Sequence, residues 1–193
     1  MPFHDLPVTA GWRHVDAREG FESVFFRRLG SGHLIDGHTA AVEEGEVWTV
    51  RYSIELDERW FTRSARVWGR SATGEHERFL DADGAGGWTV DGRPAPELDG
   101  CLDVDLESSA CTNLMPVRRL RLAVGASAQA PAAYVRALDL AVDRLEQDYT
   151  RVDDDGPHQR YDYRSPAFAF ECRLVYDESG LVLDYPGIAV RAH

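Results

Sequence analysis

Three acids, Asp103, Asp105 and Glu107, fall at alternate positions, and three arginines, Arg118, Arg119 and Arg121, follow shortly after them. On an extended backbone these acids share one face while Leu102, Val104 and Leu106 share the other. Like charges that close raise one another's pKa unless cations answer them, so the spacing predicts a carboxylate and guanidinium cluster. Two uses are open to it. One is polar recognition, with Asp103 and Asp105 accepting sugar hydroxyls and Arg118 or Arg119 gripping a phosphate or carboxylate bidentately. The other is an ion-pair network that pins a short helical turn against a sheet, because such groups are paired wherever they are buried.

Other chemistry finds less support. Asp103 and Asp105 could act as general acid and base on a glycoside, but same-face neighbours on one strand lie roughly 7 Å apart, whereas such catalytic pairs face each other across a substrate. A metal site of Asp103, Asp105 and Glu107 would be oxygen-only and Ca- or Mg-like, and the arginines compete for its charge. The histidines, at positions 4, 14, 33, 38, 76, 158 and 193, lack H-x-H or H-x-x-x-H spacing. No G-x-S-x-G elbow occurs, and the run Gly84 to Gly87 lacks the following helix of a phosphate loop. All 21 basic residues are Arg, which removes Schiff-base and P-loop lysine chemistry. No cofactor is expected, and a non-enzymatic role is preferred to an enzyme.

The elements that must position these residues read as strands. From Glu46 to Asp57, Trp48, Val50, Tyr52, Ile54 and Leu56 alternate with polar residues, one face buried and one wet. Phe168, Phe170, Cys172, Leu174 and Tyr176 repeat that pattern. Phe21 to Leu29 is a strand ended by Gly30, and His33 to Val42 is a second, broken or bulged at Gly37. Trp60 to Ala72 reads as one strand with Trp60, Arg66, Trp68 and Arg70 on a shared amphipathic face. Asp91-Gly92 is a two-residue hairpin turn. Thr112 or Asn113 is placed to cap a short helical segment near 113–121, with Pro116 near its start. Ala133 to Leu145 fits both helical and strand periodicity, and strand is preferred. About a dozen short strands at this spacing describe a mainly β, antiparallel barrel, roll or sandwich.

Composition bounds the function. The 193 residues suit a single domain, 1–193, able to bury roughly 70% of its unfolded surface. With 33 acids against 21 basic residues the net charge of −12 repels nucleic acid and anionic bilayers. Cys101, Cys111 and Cys172 are an odd number without C-x-x-C spacing, which suits a reducing cytoplasm. No positive n-region with an apolar run opens the chain, and no integral membrane segment is visible. A cytoplasmic location is expected.

Nearly the whole chain resembles the putative glycolipid-binding protein family of bacteria. The resemblance is carried by Trp12 to Asp16 followed by Glu22, Gly86 to Gly92, Gly100 to Leu106, Thr112 to Leu120, Gln147-Asp148-Tyr149 and Asp177 to Pro186. Where the family has a Pro-aromatic pair before Thr-Asn this chain has Ala110-Cys111, and Met115 replaces Leu. The resemblance implies a many-stranded, spiral, incompletely closed antiparallel β-barrel, similar to the outer-membrane lipoprotein carriers. An unclosed barrel leaves room for an apolar cavity. The candidate ligand-binding set is Asp103, Asp105, Thr112, Asn113, Arg118 and Arg119 for a polar group. Trp48, Tyr52, Trp68 and Trp88, with Trp60, Phe168 and Phe170, would line the space for an amphiphile, glycolipid or fatty-acid-like. The same aromatics could instead fill the barrel as core. An exposed strand edge pairing with a partner or a second copy is a third class, and the oligomeric state is open.

Overall fold

Alternating apolar and polar residues give both ends of the chain long antiparallel ladders, and a stretch between them supplies most of the filling. The computed structural model describes residues 3–192; Met1, Pro2 and His193, the last of the seven histidines named above, lie outside the described residues. The first meander comprises β1 (Thr9–His14), β2 (Glu19–Leu29), β3 (Gly32–Glu43), β4 (Glu46–Leu56), β5 (Thr62–Ser71), β6 (Gly74–Ala82), β7 (Trp88–Val90) and β8 (Arg93–Pro94). The second comprises β13 (Asp148–Asp155), β14 (His158–Ser165), β15 (Phe170–Tyr176), β16 (Val182–Tyr185) and β17 (Ala189–Arg191). Pairing of β17 with β1 joins the two meanders. With β10 (Ser127–Gln129) added against β13, they form one 14-stranded sheet with β8 and β10 at its ends. Those ends are not paired with each other, so the sheet is a mainly β, antiparallel surface that does not close into a barrel.

The connection between the meanders carries β9 (Asp103–Leu106), α1 (Leu114–Leu120), β11 (Ala132–Val135) and β12 (Val142–Leu145). β9, β11 and β12 make a small sheet of their own, with β9 parallel to β11. Five of the seven residues of α1 are buried, Leu114 to Arg118. A helix that short gains little from its own hydrogen bonds, so packing on every side must hold it. Leu114 and Met115 share one core cluster with Trp12, Trp48 and Ile54 of the large sheet and with Trp60. The segment is therefore a plug inside the curled sheet. Pro116 is tolerated because it sits in the first turn, where its missing N–H has no intrahelical partner.

Four expectations change. β3 runs unbroken through Gly37, which pairs with Tyr52; the glycine makes room for that ring instead of bulging the strand. Trp60 precedes β5, with a positive φ of 71°, and its side chain is buried, so it does not share a face with Arg66 and Trp68. The stretch from Ala133 to Leu145 is two strands of a hairpin, reversed by a turn in which Leu140 has φ 52°. Neither Thr112 nor Asn113 caps α1 through its side chain, because Thr112 is bonded to Asp105 within the plug and Asn113 to Tyr149 of β13. The Asp91-Gly92 turn has φ of 50° and 73°, the left-handed pair that a two-residue hairpin needs.

Candidate functional site

The three acids of β9 and its exit are met by different partners. Asp103 is 2% exposed and takes a bidentate pair from Arg119, Nε to Oδ1 at 3.1 Å and Nη2 to Oδ2 at 2.5 Å. Burial still pushes its carboxyl above the usual range, against the pull of Arg119. Asp105 pairs with no arginine among the described residues. It accepts Thr112 Oγ1 at 2.7 Å and Gln147 Nε2 at 2.6 Å, and burial outweighs those bonds, raising its pKa. Glu107 accepts the Ala137 N–H at 2.8 Å. Arg118 turns away from all three: its Nε and Nη2 reach the Ser179 carbonyl at 3.0 and 2.7 Å, and Nη2 also reaches the His4 carbonyl. The expected cluster is thus one ion pair, two hydrogen-bonded acids and, in Arg118, an arginine engaged elsewhere. Asn113 accepts Tyr149 Oη at 3.0 Å.

A second knot, centred on Glu22, holds the plug to the wall. Glu22 on β2 has no exposure, and its Oε1 accepts Tyr52 Oη at 2.6 Å and Ser109 Oγ. Its Oε2 accepts the Ala110 N–H at 2.9 Å and the Cys111 N–H at 3.4 Å. Despite four donors, burial raises the pKa of Glu22.

Beside these knots lies a cleft of about 220 Å³ between the plug and strands β14 to β17. Tyr134, Phe168, Phe170 and Tyr185 line it, with Tyr163 behind them. The rings contact one another: Tyr134 and Phe168 centroids are 5.6 Å apart, Phe170 and Tyr185 6.1 Å. The rest of the lining includes the polar residues Arg18, Asp105, Glu107, Ser109 and Ser165, with Asp105 beside Tyr134 and Ser165 beside Phe170 in the strand registers. Arg18 is held by the Glu107 carbonyl at 3.2 Å, by Glu43 at 3.5 Å and by the face of Trp48 at 5.2 Å. Among the described residues its Nε nevertheless is buried with no partner, as are Ser108 Oγ and the Nδ1 of nearby His14. Unpartnered buried polar atoms cost free energy unless water or a ligand meets them. Burial, reinforced by Arg18, lowers His14 to about 4 and keeps it neutral. Burial, then Glu107 and Asp105, pushes the Tyr134 phenol well up.

The sequence-derived set is dispersed by the fold. Asp105, Asn113, Phe168 and Phe170 reach the cleft; Asp103, Thr112 and Arg119 do not line it. Trp48, Tyr52 and Trp88 are packed in the core, and Trp68 lies on the outer face beneath Arg51, 4.4 Å from its ring. Arg18, Tyr134, Ser165 and Tyr185 were not anticipated. Arg18 comes from the short β1–β2 turn and Tyr134 from a stretch of ambiguous period, so neither carried a local signal. Among the described residues, no three His, Cys, Asp or Glu side chains are grouped to hold a metal ion, and no helix is long and apolar enough to cross a membrane.

Comparison with known proteins agrees with this architecture. A DUF1089-family protein from Pseudomonas aeruginosa, known from its crystal structure, is similar at 36% identity, with 94% of this chain and 95% of that one covered and a TM-score of 0.78. A β-barrel-like protein of the DUF1849 domain from Brucella abortus shares the fold at 11% identity and a TM-score of 0.56, covering 98% and 95% of the two chains. No curated protein matches the sequence. Residues 9–191 match the family described as "Putative glycolipid-binding", and the chain belongs to that family.

Proposed function

We propose that the protein binds an amphiphile of glycolipid or fatty-acid-like type without transforming it, in the cleft between the plug and β14 to β17. The observation that carries this reading is the mixed aromatic and polar lining. Aromatic rings suit an acyl chain or the apolar face of a sugar ring, and the polar residues set among them include Arg18, whose Nε is buried with no partner among the described residues, together with Asp105, Glu107 and Ser165. Convergent donors and acceptors of that kind suit hydroxyl groups. The cleft's 220 Å³ is below the ~300–1,000 Å³ of most drug-sized sites, so it seats a head group or a short length of chain, with the remainder passing the exposed Phe168 at its lip.

The same contacts support a non-enzymatic reading. Asp103, one half of the acid pair considered for hydrolysis, is occupied by Arg119 and lies outside the cleft. Native mass spectrometry of gently purified protein is the direct test. The expected result is a population carrying an added mass that organic extraction identifies as an amphiphile. A strictly unliganded mass, together with no uptake of added glycolipid or fatty acid, overturns the reading.

A further inference from the structure

At the opposite end of β14, roughly 20 Å along the strand from Ser165, a second cavity of about 380 Å³ opens beside Gln159. Arg118, Arg121 and Arg151 line it, together with Trp60, Phe3 and Leu122. Three guanidinium groups around one cavity are conspicuous in a chain of net charge −12. Among the described residues only Arg151 of the three has a carboxylate in an ion pair, Asp154, and its Nη1 donates to Gln159 at 2.7 Å while its Nε is buried without a partner there.

Arg118 is buried, its guanidinium 4.3 Å from the Trp60 ring, which stacks on His33 at 4.0 Å. Its acceptors are the carbonyls of Ser179 and His4, and Nη1 has none among the described residues. Asp5 and Asp177 act on Arg118 only at longer range, and burial outweighs them. Arg121 forms no ion pair among the described residues; its Nε makes one long bond, 3.4 Å, to the Arg118 carbonyl. It also ends α1 at φ 47°, ψ 46°, the left-handed position that glycine usually fills because a Cβ is crowded there. Arg118 and Arg119 already place cations in the last turn against the helix dipole, so that role does not require Arg121.

We propose that this cavity is a phosphate site. A phosphomonoester, carrying about −1.5 to −2 charge and three acceptor oxygens, matches Arg118 Nη1, the Arg121 fork and Arg151 Nε, where a carboxylate would leave donors unused. Its carbon skeleton lies against Trp60, Phe3 and Leu122, and the volume exceeds that needed by the anion alone. The site is separate from the amphiphile cleft and does not depend on it.

The same chemistry is presented by a soluble organic phosphate and by a lipid head group. The test titrates the full chain calorimetrically with inorganic phosphate and phenyl phosphate, and sediments it with phosphatidylcholine vesicles with and without phosphatidic acid. The comparison protein is Arg121→Gly, which removes the cation and relieves the backbone, so its unfolding midpoint should be equal or higher. The expected result is saturable binding to at least one phosphate probe that weakens about tenfold or more in Arg121→Gly. Binding of phenyl phosphate assigns a soluble ligand, and binding confined to phosphatidic acid vesicles assigns a lipid head group. No saturable binding to any probe, or binding undiminished in Arg121→Gly, overturns the proposal.

Discussion

Tyr52 on β4 donates to Glu22 on β2 at 2.6 Å by laying its ring across the intervening strand, over Gly37. A Cβ on Gly37 would fall 2.0 Å from Cζ of that ring and 2.2 Å from its Oη. Gly37→Ala must therefore displace Tyr52 from the acid. Overpacking alone costs about 1–3 kcal/mol, and freeing a buried polar partner adds about 1–3 kcal/mol more. Urea unfolding of Gly37→Ala should show a loss in this range, and Tyr52→Phe, which removes the hydroxyl alone, a smaller one. Equal stability of Gly37→Ala and the parent would mean that the ring does not depend on this gap.

The same acid predicts a pH dependence. Folding raises the pKa of Glu22, so the folded state favours the proton; the stability this contributes is complete below the ordinary value of 4.5 and is lost as pH rises through the raised value. Glu22→Gln keeps the shape and loses the titration. Its amide can face the Tyr52 and Ser109 hydroxyls, which rotate to accept, while its oxygen keeps the Ala110 and Cys111 N–H groups. Stability of Glu22→Gln relative to the parent should therefore climb as pH is raised from 4.5. Parallel stability curves for the two proteins above that pH would contradict the assignment.

Among the described residues Arg119 is the sole cation paired with Asp103, which is buried at 2% side-chain exposure while Arg119 is mostly covered at 10%. Removing one partner of such a pair leaves an uncompensated charge, typically worth 3–5 kcal/mol, whereas removing both is often near neutral. Arg119→Met should lose about 3–5 kcal/mol in denaturant unfolding, and Asp103→Leu with Arg119→Met should recover most of it. A double variant no better than the single one would show that the pair is not the reason Arg119 is needed.

Phe168 is 55% exposed yet packs on Tyr134 at the mouth of the cleft. Phe168→Ser should leave the unfolding midpoint within about 0.5 kcal/mol of the parent, as surface changes usually do. Retention of a co-purified amphiphile should fall in the same variant, measured by native mass spectrometry. Undiminished retention would move the acyl portion away from this wall.

What the sequence determined by itself was the β character of the chain and the location of its one helix. Strict alternation in β4 and β15 is a local property, since the faces of a strand follow from period two whatever lies opposite. Pro116 and the brief break in alternation marked α1 for the same kind of reason. The family resemblance, carried by motifs such as Gly86 to Gly92, added the open spiral form that alternation does not specify.

Partnership was decided only by the tertiary structure. Proximity along the chain suggested that Arg118 and Arg119 answer the same acids, yet adjacent helical residues point roughly 100° apart, so Arg119 reaches Asp103 while Arg118 faces Trp60. Glu22 and Ser109, 87 residues apart, meet because a plug from mid-chain is threaded against β2, and Arg18 and Tyr134 reach one cleft by the same route. Contacts of that range arise from how the sheet curls around its filling, and no spacing within one strand records that.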